Sequence, residues 1–202
     1  MRIRLDVRNL LLASWETDRE SVERAAPPGT EPAQVDGRYL VSIVSFQVRG
    51  GRVGRWPVLP FSQLNLRTYV MWKGEPAVLF RASRVTPGGL PGLFLGAPYR
   101  SARVRVKPGE LRASGLGVEI RYLPGGTADP GELGRHELGI FESDGLRAIR
   151  IARGPAEWRG AELSAPAKAH MLLGYGFSPR GEPDLVYTPE TWFETERARK
   201  LA

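Results

Sequence analysis

The sequence predicts a mainly β fold: antiparallel strands that close into a barrel or pack as a sandwich, with a minor share of short helices. About ten segments alternate apolar and polar residues, which is the period of a β-strand. Short turns rich in glycine and proline join these segments, as in successive hairpins. No helical crossover separates them, so parallel βαβ units are not expected. So many strands favour closure of the sheet.

The amino-terminal segment is predicted to form a strand followed by a short helix. Arg2–Leu12 has the composition of a strand. Thr17 and Glu20 have the spacing of a capping box, which predicts a helix over Asp18–Ala26 that two prolines end.

A hairpin and a long loop are predicted next. Asp36-Gly37 is a strong hairpin signal, and Arg38–Val48 alternates residues that favour strands. Arg49–Phe61 is dense in glycine and proline and is predicted to be an irregular loop that contains Trp56. Beside a polar strand, such a loop is a candidate lid.

The segment Gln63–Trp72 is the strand around which the prediction is organised. One face carries Leu64, Leu66, Thr68, Val70 and Trp72, and the other carries Gln63, Asn65, Arg67, Tyr69 and Met71. The first face is typical of a core. The second is either a polar strip that lines a cavity or a plain solvent face, and both interpretations stay open.

The rest of the chain is predicted to contain more strands and three short helical segments. The strands are Pro76–Ser83, Ala97–Val106, Leu111–Ser114, Val118–Leu123, Gly139–Glu142, Leu146–Ala152, Lys168–Gly176 and Leu185–Thr188. The helical segments are a turn at Leu93–Gly96, a helix at Pro130–His136, and a polar tail over residues 189–202. Because no repeat or linker divides the chain, residues 1–202 are expected to form one domain.

The net charge of +7 comes almost wholly from arginine, because only Lys73, Lys107, Lys168 and Lys200 are lysine. A basic chain can bind nucleic acid or an anionic ligand. Scattered arginines favour a general bias in arginine usage instead, so nucleic acid remains only a second alternative as a partner. No apolar segment is long enough for a bilayer and no signal peptide is visible, so we expect a cytoplasmic protein without a membrane partner.

Several classes of chemistry lack their motifs in this sequence. The absence of cysteine excludes disulfides and thiolate catalysis. The two histidines, His136 and His170, have no metal-binding spacing, and no nucleotide or nucleophile motif is present, so no metal and no cofactor is expected. Lys168 is the one lysine with uncharged neighbours, and we interpret it as a surface residue.

A pair of arginines is the candidate for binding an anion. Alternation over Tyr99–Lys107 places Arg100 on the apolar side of its strand, where it needs a carboxylate partner, a ligand or a route to the surface. With Arg67 it would form a cationic pocket suited to a carboxylate or phosphate. The alternative is that both arginines pair with acidic side chains of the protein itself.

Several segments occur together in an order that points to a known bacterial family. They are Asn9–Trp15, Asp36-Gly37, Val44–Phe46, Leu64–Val70 and Ala97–Ala102. The set, covering about Arg8–Val106, resembles the DUF2071 or YqjF-like family, whose fold is similar to that of acetoacetate decarboxylase. The sequence departs from the family pattern at Gln63, where glutamate is common, at Ala97, and around Arg153–Trp158, where the family has a His-x-Pro-Trp motif.

The resemblance implies an antiparallel β fold curled around an interior cavity. Acetoacetate decarboxylase forms a Schiff base through the first of two adjacent lysines after a proline, and these positions correspond to Tyr99 and Arg100. A catalytic glutamate of the decarboxylase corresponds to Asn65. Tyrosine forms no imine and arginine stays protonated, so we expect the cavity without the decarboxylase activity.

The sequence favours two functions over nucleic-acid binding. The first is binding of a small anionic or carbonyl-bearing ligand. Arg67 and Arg100 would bind its charge, Asn65 and Tyr69 would orient the ligand, and Tyr99 would stack on it or donate a hydrogen bond. The second is a lyase, isomerase or hydrolase that acts on a keto or enol acid without a Schiff base. Tyr99 would then be the catalytic acid–base group, with its pKa lowered by a positive neighbour. A homo-oligomer is also compatible with the sequence.

Overall fold

The computed structural model describes residues 2–87 and 96–201, and most of these residues lie in strands. The strands are β1 Arg2–Glu16, β2 Thr30–Pro32, β3 Leu40–Val53, β4 Trp56–Pro57, β5 Phe61–Trp72, β6 Glu75–Thr86, β7 Tyr99–Ser101, β8 Arg105–Lys107, β9 Glu110–Ala113, β10 Val118–Thr127, β11 Leu138–Glu142, β12 Leu146–Arg153, β13 Arg159–Leu163, β14 Lys168–Ala169, β15 Arg180–Glu196 and β16 Arg199–Lys200. The α-helices are α1 Arg19–Ala25 and α2 His170–Gly174, and 3₁₀ turns lie at Ser114–Leu116 and Gly131–Gly134. The predicted mainly β fold with short helices is confirmed.

Strands close into a ring in the order β1, β3, β5, β6, β11, β12, β15 and back to β1. The ring pairings are antiparallel except for β6 with β11, where Gly139 lies beside Val78 in a parallel pair. Strands β13, β10, β9 and β8 continue the sheet from β15 outside the ring. No helix within residues 2–87 and 96–201 has the length and hydropathy to cross a bilayer.

Both faces of the ring strands β1, β3 and β5 are buried, in two separate apolar clusters. The inner cluster contains Leu10, Leu12, Val44 and Phe46, and the outer one contains Leu11, Ile43, Leu64 and Leu66. Side chains of β8, β9, β10 and α2 complete the outer cluster, among them Val106, Leu111, Ile120 and Leu172. The ring is therefore covered on the outside along these strands, and its interior has a wall of its own.

The central strand β5 presents one face to each cluster. Leu64 and Leu66 belong to the outer cluster, whereas Gln63, Asn65 and Arg67 are buried on the interior side. The predicted alternation of this strand is confirmed. Of the two interpretations of its polar face, the solvent face is wrong, because the ring encloses these side chains.

The helix α1 begins one residue later than the capping box predicts. Its N-cap is Asp18, whose carboxylate accepts a hydrogen bond of 2.6 Å from the backbone N–H of Ser21. This bond lowers the pKa of Asp18 below its ordinary value, because it favours the charged form. Thr17 is not the cap; its hydroxyl donates to the carbonyl of Ser178, 3.3 Å away.

The predicted irregular loop at Arg49–Phe61 is wrong for Arg49–Val53 and Trp56–Pro57, which lie in strands. Strand β3 continues through the glycines to Val53, and β4 pairs with its end, Val53 opposite Trp56. A Cβ atom at Gly51 would lie 2.1 Å from the Arg4 carbonyl oxygen, so glycine is required here by the close approach of β1. Trp56 is exposed and does not line the interior.

The predicted helical tail over residues 189–202 is also wrong, because β15 extends to Glu196 along the whole of β1. Thr191 and Thr195, whose β-branched side chains suit strands, are buried there. The predicted strand Lys168–Gly176 is mostly the helix α2, and the predicted helix at Pro130–His136 is a 3₁₀ turn. The predicted turn at Leu93–Gly96 lies outside the described residues except for Gly96.

Candidate ligand-binding site

The inner face of the ring lines a partly open cavity of about 450 Å³. Its apolar wall includes Leu10, Leu12, Val44, Phe46, Phe141 and Ile151, and its polar wall includes Gln63, Asn65, Arg67, Tyr99, His136 and Arg153. This size and this division into apolar and polar walls are typical of sites for small organic ligands.

A hydrogen-bonded row of polar side chains crosses the cavity wall from β5 to β7. The amide nitrogen Nε2 of Gln63 donates to Oδ1 of Asn65 at 2.8 Å and to the hydroxyl of Tyr99 at 3.5 Å. Both hydrogens of that nitrogen are thereby used. The amide hydrogens of Asn65 and the phenol hydrogen of Tyr99 are therefore the donors left for a ligand.

The acidity of Tyr99 differs from the expectation for an acid–base group. Burial raises the pKa of its hydroxyl to about 12, and the hydrogen bond from Gln63 offsets only part of this rise. The predicted lowering by a positive neighbour is wrong in direction, because desolvation of the phenolate is the dominant effect. At neutral pH Tyr99 is a hydrogen-bond donor.

Arg67, predicted to bind the ligand, is only 6% exposed and points into the cavity. Its Nη2 donates to the carbonyl of Leu133 at 3.4 Å, and its guanidinium carbon lies 5.5 Å from the ring centroid of Tyr69. Its Nε has no hydrogen-bond partner among the described residues. A buried guanidinium with a free donor is a costly arrangement unless a ligand completes it.

Arg153, at the end of β12, is a second cavity-lining guanidinium that the sequence analysis missed. One of its Nη atoms donates to the carbonyl of Gly134, its guanidinium carbon lies 5.7 Å from the ring of Phe193, and its Nε has no partner among the described residues. Burial, and then the charge of Arg67, lower its pKa to about 10, so it is still protonated at neutral pH. The two-residue period of a strand could have identified Arg153 as a cavity residue, because Ile149, Ile151 and Arg153 share one face.

No carboxylate forms an ion pair with either arginine within the described part of the chain, although the charge of Glu137, which also lines the cavity, acts on Arg153. The ion pairs there involve other arginines and Lys168, most of them on the surface. The charge of Arg67 acts on both Arg153 and His136, which places the three groups in one electrostatic cluster. The lining also includes the carboxylates of Glu137 and Glu142, so the positive charge of the polar wall is concentrated at these arginines.

His136 lies in the turn before β11 and lines the same cavity. Its Nδ1 is 2.8 Å from the carbonyl oxygen of Glu132, and its ring lies 5.2 Å from that of Tyr69. Burial, and then the charges of Arg67 and Arg153, lower its pKa below the ordinary value. The imidazole is therefore neutral at pH 7. Strand period could not have found this residue because it lies in a turn.

Tyr69 supports the site from behind the cavity wall. It is completely buried, and its hydroxyl is 2.9 Å from Oγ of Ser42, which is in turn 2.8 Å from Oγ of Ser14. Its ring contacts Arg67 and His136 rather than the cavity itself. This position suits a residue that fixes its neighbours rather than one that contacts a ligand.

Arg100 occupies a different position from the one predicted. It is exposed and reaches the cavity only at its edge, whereas its neighbour Tyr99 is half-buried and packs against the inner cluster. The alternation fails because β7 ends at Ser101, so Arg100 is not held on the apolar side of a continuous strand. The cation beside Arg67 in the cavity wall is the partly buried Arg153.

None of the lysines lines the cavity, and all four are exposed. Nζ of Lys168 lies 3.8 Å from Oε2 of Glu119, outside the ring. His170, exposed at the start of α2, is also remote from the cavity wall. The described residues contain no group of three or more His, Asp or Glu side chains arranged to hold a metal ion.

Comparisons with known sequences identify relatives for most of the amino-terminal two thirds of the chain. The model of the family DUF2071, described as an uncharacterized conserved protein, matches residues 4–143. The uncharacterized protein YqjF of Bacillus subtilis strain 168 is 33% identical over 76 residues. That match spans 36% of this chain and 31% of the length of YqjF.

Comparisons with solved structures cover nearly the whole chain at low identity. Acetoacetate decarboxylase from Legionella pneumophila has a TM-score of 0.72 at 12% identity, covering 100% of this chain and 88% of its own. The enduracididine biosynthesis enzyme MppR in complex with pyruvate has a TM-score of 0.65 at 16% identity, covering 99% and 90%. An acetoacetate decarboxylase-like enzyme from Sphingomonas wittichii RW1 has a TM-score of 0.63 at 13% identity, covering 99% and 92%. These likenesses confirm the predicted acetoacetate decarboxylase-like fold.

Proposed function

The chain belongs to the DUF2071 family, and we propose that it binds a small carboxylate that also bears a carbonyl group, such as a 2-oxo acid. One observation carries this proposal: Arg67 and Arg153 both line the cavity, and neither guanidinium forms an ion pair among the described residues. A buried cation with free donors is best satisfied by an anion that accepts two hydrogen bonds. A carboxylate has that geometry.

The rest of the cavity suits the remainder of such a ligand. The amide of Asn65 and the hydroxyl of Tyr99 can donate to a carbonyl oxygen, as their hydrogens are not used by Gln63. The apolar wall around Phe46 and Ile151 accommodates an alkyl group. The complex of MppR with pyruvate supports a 2-oxo acid as the first ligand to test.

The proposed ligand is held without a covalent bond to the protein. Tyr99 and Arg100 follow Pro98 at the positions that correspond to the lysine pair of the decarboxylase. The lysines of this chain are exposed and outside the cavity wall, so no lysine amine is placed to attack a carbonyl there. Borohydride added with pyruvate should therefore leave the mass of the protein unchanged.

Pyruvate should raise the melting temperature of the protein, whereas pyruvamide, a neutral molecule of the same size, should not. At a ligand concentration of about 100 times Kd the stabilisation is roughly 2.7 kcal/mol, which corresponds to several degrees for a chain of this length. Differential scanning fluorimetry over a series of pyruvate and pyruvamide concentrations measures both effects. An equal shift with the neutral molecule would contradict a site built around charge.

Two single variants determine which arginine acts with Arg67. Arg153→Met should abolish the pyruvate-dependent shift, whereas Arg100→Met should keep most of it, because Arg100 is exposed at the edge of the cavity. The reverse result would favour the arginine pair that the sequence predicts. Calorimetric titration of both variants gives the dissociation constants.

A further inference from the structure

We propose that His136 is a general base that removes a proton from the carbon next to the carbonyl group of the bound 2-oxo acid. The protein would then catalyse enolisation of its ligand. This inference rests on the proposed function, because the carboxylate must first be held by Arg67 and Arg153.

The hydrogen bonding of His136 determines which of its nitrogens is free. Nδ1 is 2.8 Å from the Glu132 carbonyl oxygen, which can only accept, so Nδ1 carries the proton in the neutral ring. The lone pair is then on Nε2. That atom has no hydrogen-bond partner among the described residues and is not sealed from solvent. A free lone pair on a cavity-lining residue is the requirement for a base.

The surroundings of His136 keep that lone pair available and its ring fixed. Arg67 on β5 and Arg153 on β12 disfavour the imidazolium form, whereas Glu132 in the preceding turn favours it. Tyr69 packs against the ring at a centroid distance of 5.2 Å, and its hydroxyl is tied to Ser42. Burial and the two arginines outweigh Glu132 and lower the pKa of His136, so its imidazole is neutral at pH 7.

The proton transfer needs only the bound ligand and His136. In pyruvate, Nε2 of His136 takes a proton from the methyl carbon, and the electron pair of that C–H bond forms the double bond to the carbonyl carbon. The π electrons of the carbonyl group move to its oxygen, giving an enolate. Donors from Asn65 and Tyr99, with the positive charge of the two arginines, stabilise this oxygen. Reversal in D₂O returns a deuteron, and no oxidant or reductant is needed.

Deuterium exchange into pyruvate tests the proposal directly. Wild-type protein in D₂O should reduce the methyl proton signal of pyruvate, followed by ¹H NMR, faster than buffer alone does. His136→Asn places an amide where Nδ1 was and keeps a donor for the Glu132 carbonyl, but it has no base at Nε2. We expect the exchange rate of this variant to fall at least about 100-fold. His170→Asn, on the exposed histidine, should exchange at the wild-type rate.

Binding measured on the same samples distinguishes the failure of this inference from that of the proposed function. Binding of pyruvate without exchange by the wild-type protein would overturn the role of His136 and leave the binding site standing. Undiminished exchange in His136→Asn would overturn it as well. Absence of pyruvate binding would overturn both proposals.

The pH dependence of exchange provides a second measurement that needs no variant. The rate at saturating pyruvate should fall as the pH decreases through the pKa of His136, because protonated Nε2 cannot accept. The groups that face this histidine are Arg67, Arg153, Tyr69, Glu132 and Glu137, and burial lowers the pKa of Arg153 only to about 10. A rate that does not fall on acidification from pH 6.5 down to the pH at which the protein unfolds would contradict the proposal, even if His136→Asn does not fold.

Discussion

Replacing Arg67 with methionine is expected to abolish carboxylate binding while leaving the free protein as stable as before or more so. A guanidinium that binds a carboxylate through charge-assisted hydrogen bonds contributes about 3 kcal/mol or more, so the dissociation constant should rise at least about 100-fold. Arg67 is 6% exposed, has a free Nε and lies near the charge of Arg153. Methionine fills similar space without burying a charge, which can stabilise a fold by roughly 1 to 3 kcal/mol.

Because Arg67→Met should lower the affinity for the carboxylate without lowering the stability of the free protein, the variant distinguishes a binding role of Arg67 from a structural one. Calorimetric titration with pyruvate gives the affinity, and urea denaturation without ligand gives the free energy of unfolding. Arg103→Met is the matched control, because Arg103 is exposed and outside the cavity. A variant that keeps its affinity for pyruvate would refute the proposed site. A large loss of stability in the free protein would instead assign Arg67 a structural role.

Truncation of Leu66 should destabilise the protein strongly, whereas truncation of its neighbour Asn65 should not. Leu66 is completely buried in the outer cluster, so Leu66→Ala should lower the free energy of unfolding by about 3 kcal/mol through lost burial and the space it leaves. Asn65 faces an open cavity and accepts one hydrogen bond from Gln63, so Asn65→Ala should cost at most about 1 kcal/mol. Urea denaturation followed by circular dichroism measures both.

For binding, the order of the two substitutions should be reversed: Asn65→Ala should have the larger effect on the affinity for pyruvate. Asn65→Ala removes a donor proposed to contact the carbonyl oxygen, so it should weaken pyruvate binding about tenfold. Leu66→Ala leaves the cavity wall intact and should keep the affinity at temperatures where the variant is folded. Similar losses of stability from both positions would show that the two faces of β5 do not differ as described.

The two faces of β5 could be predicted from the sequence because a strand has a fixed period of two residues. The same rule assigns Arg153 to the face of Ile149 and Ile151, although that assignment was not made. The two-residue rule failed for Arg100 because β7 ends at Ser101, and alternation gives no information across a break in a strand.

The remaining misassignments arise from contacts between segments far apart in the chain. Gly51 suggests a loop on local grounds, yet it is a strand residue because the Arg4 backbone passes too close for a Cβ atom. The polar segment after Pro189 favours a helix on local grounds, but pairing of Glu196 with Arg2 extends the strand. His136 enters the cavity from a turn, which no periodic pattern describes.

The guanidinium groups of Arg67 and Arg153 are proposed to bind the ligand together inside the ring. NMR of protein labelled with ¹⁵N-arginine observes each Nε–H group directly, and the variants Arg67→Met and Arg153→Met assign the two signals. Addition of pyruvate should shift both signals, and addition of pyruvamide should shift neither. If neither signal moves while pyruvate binds, or if the signal of Arg100 moves in their place, the ligand is not held by this pair.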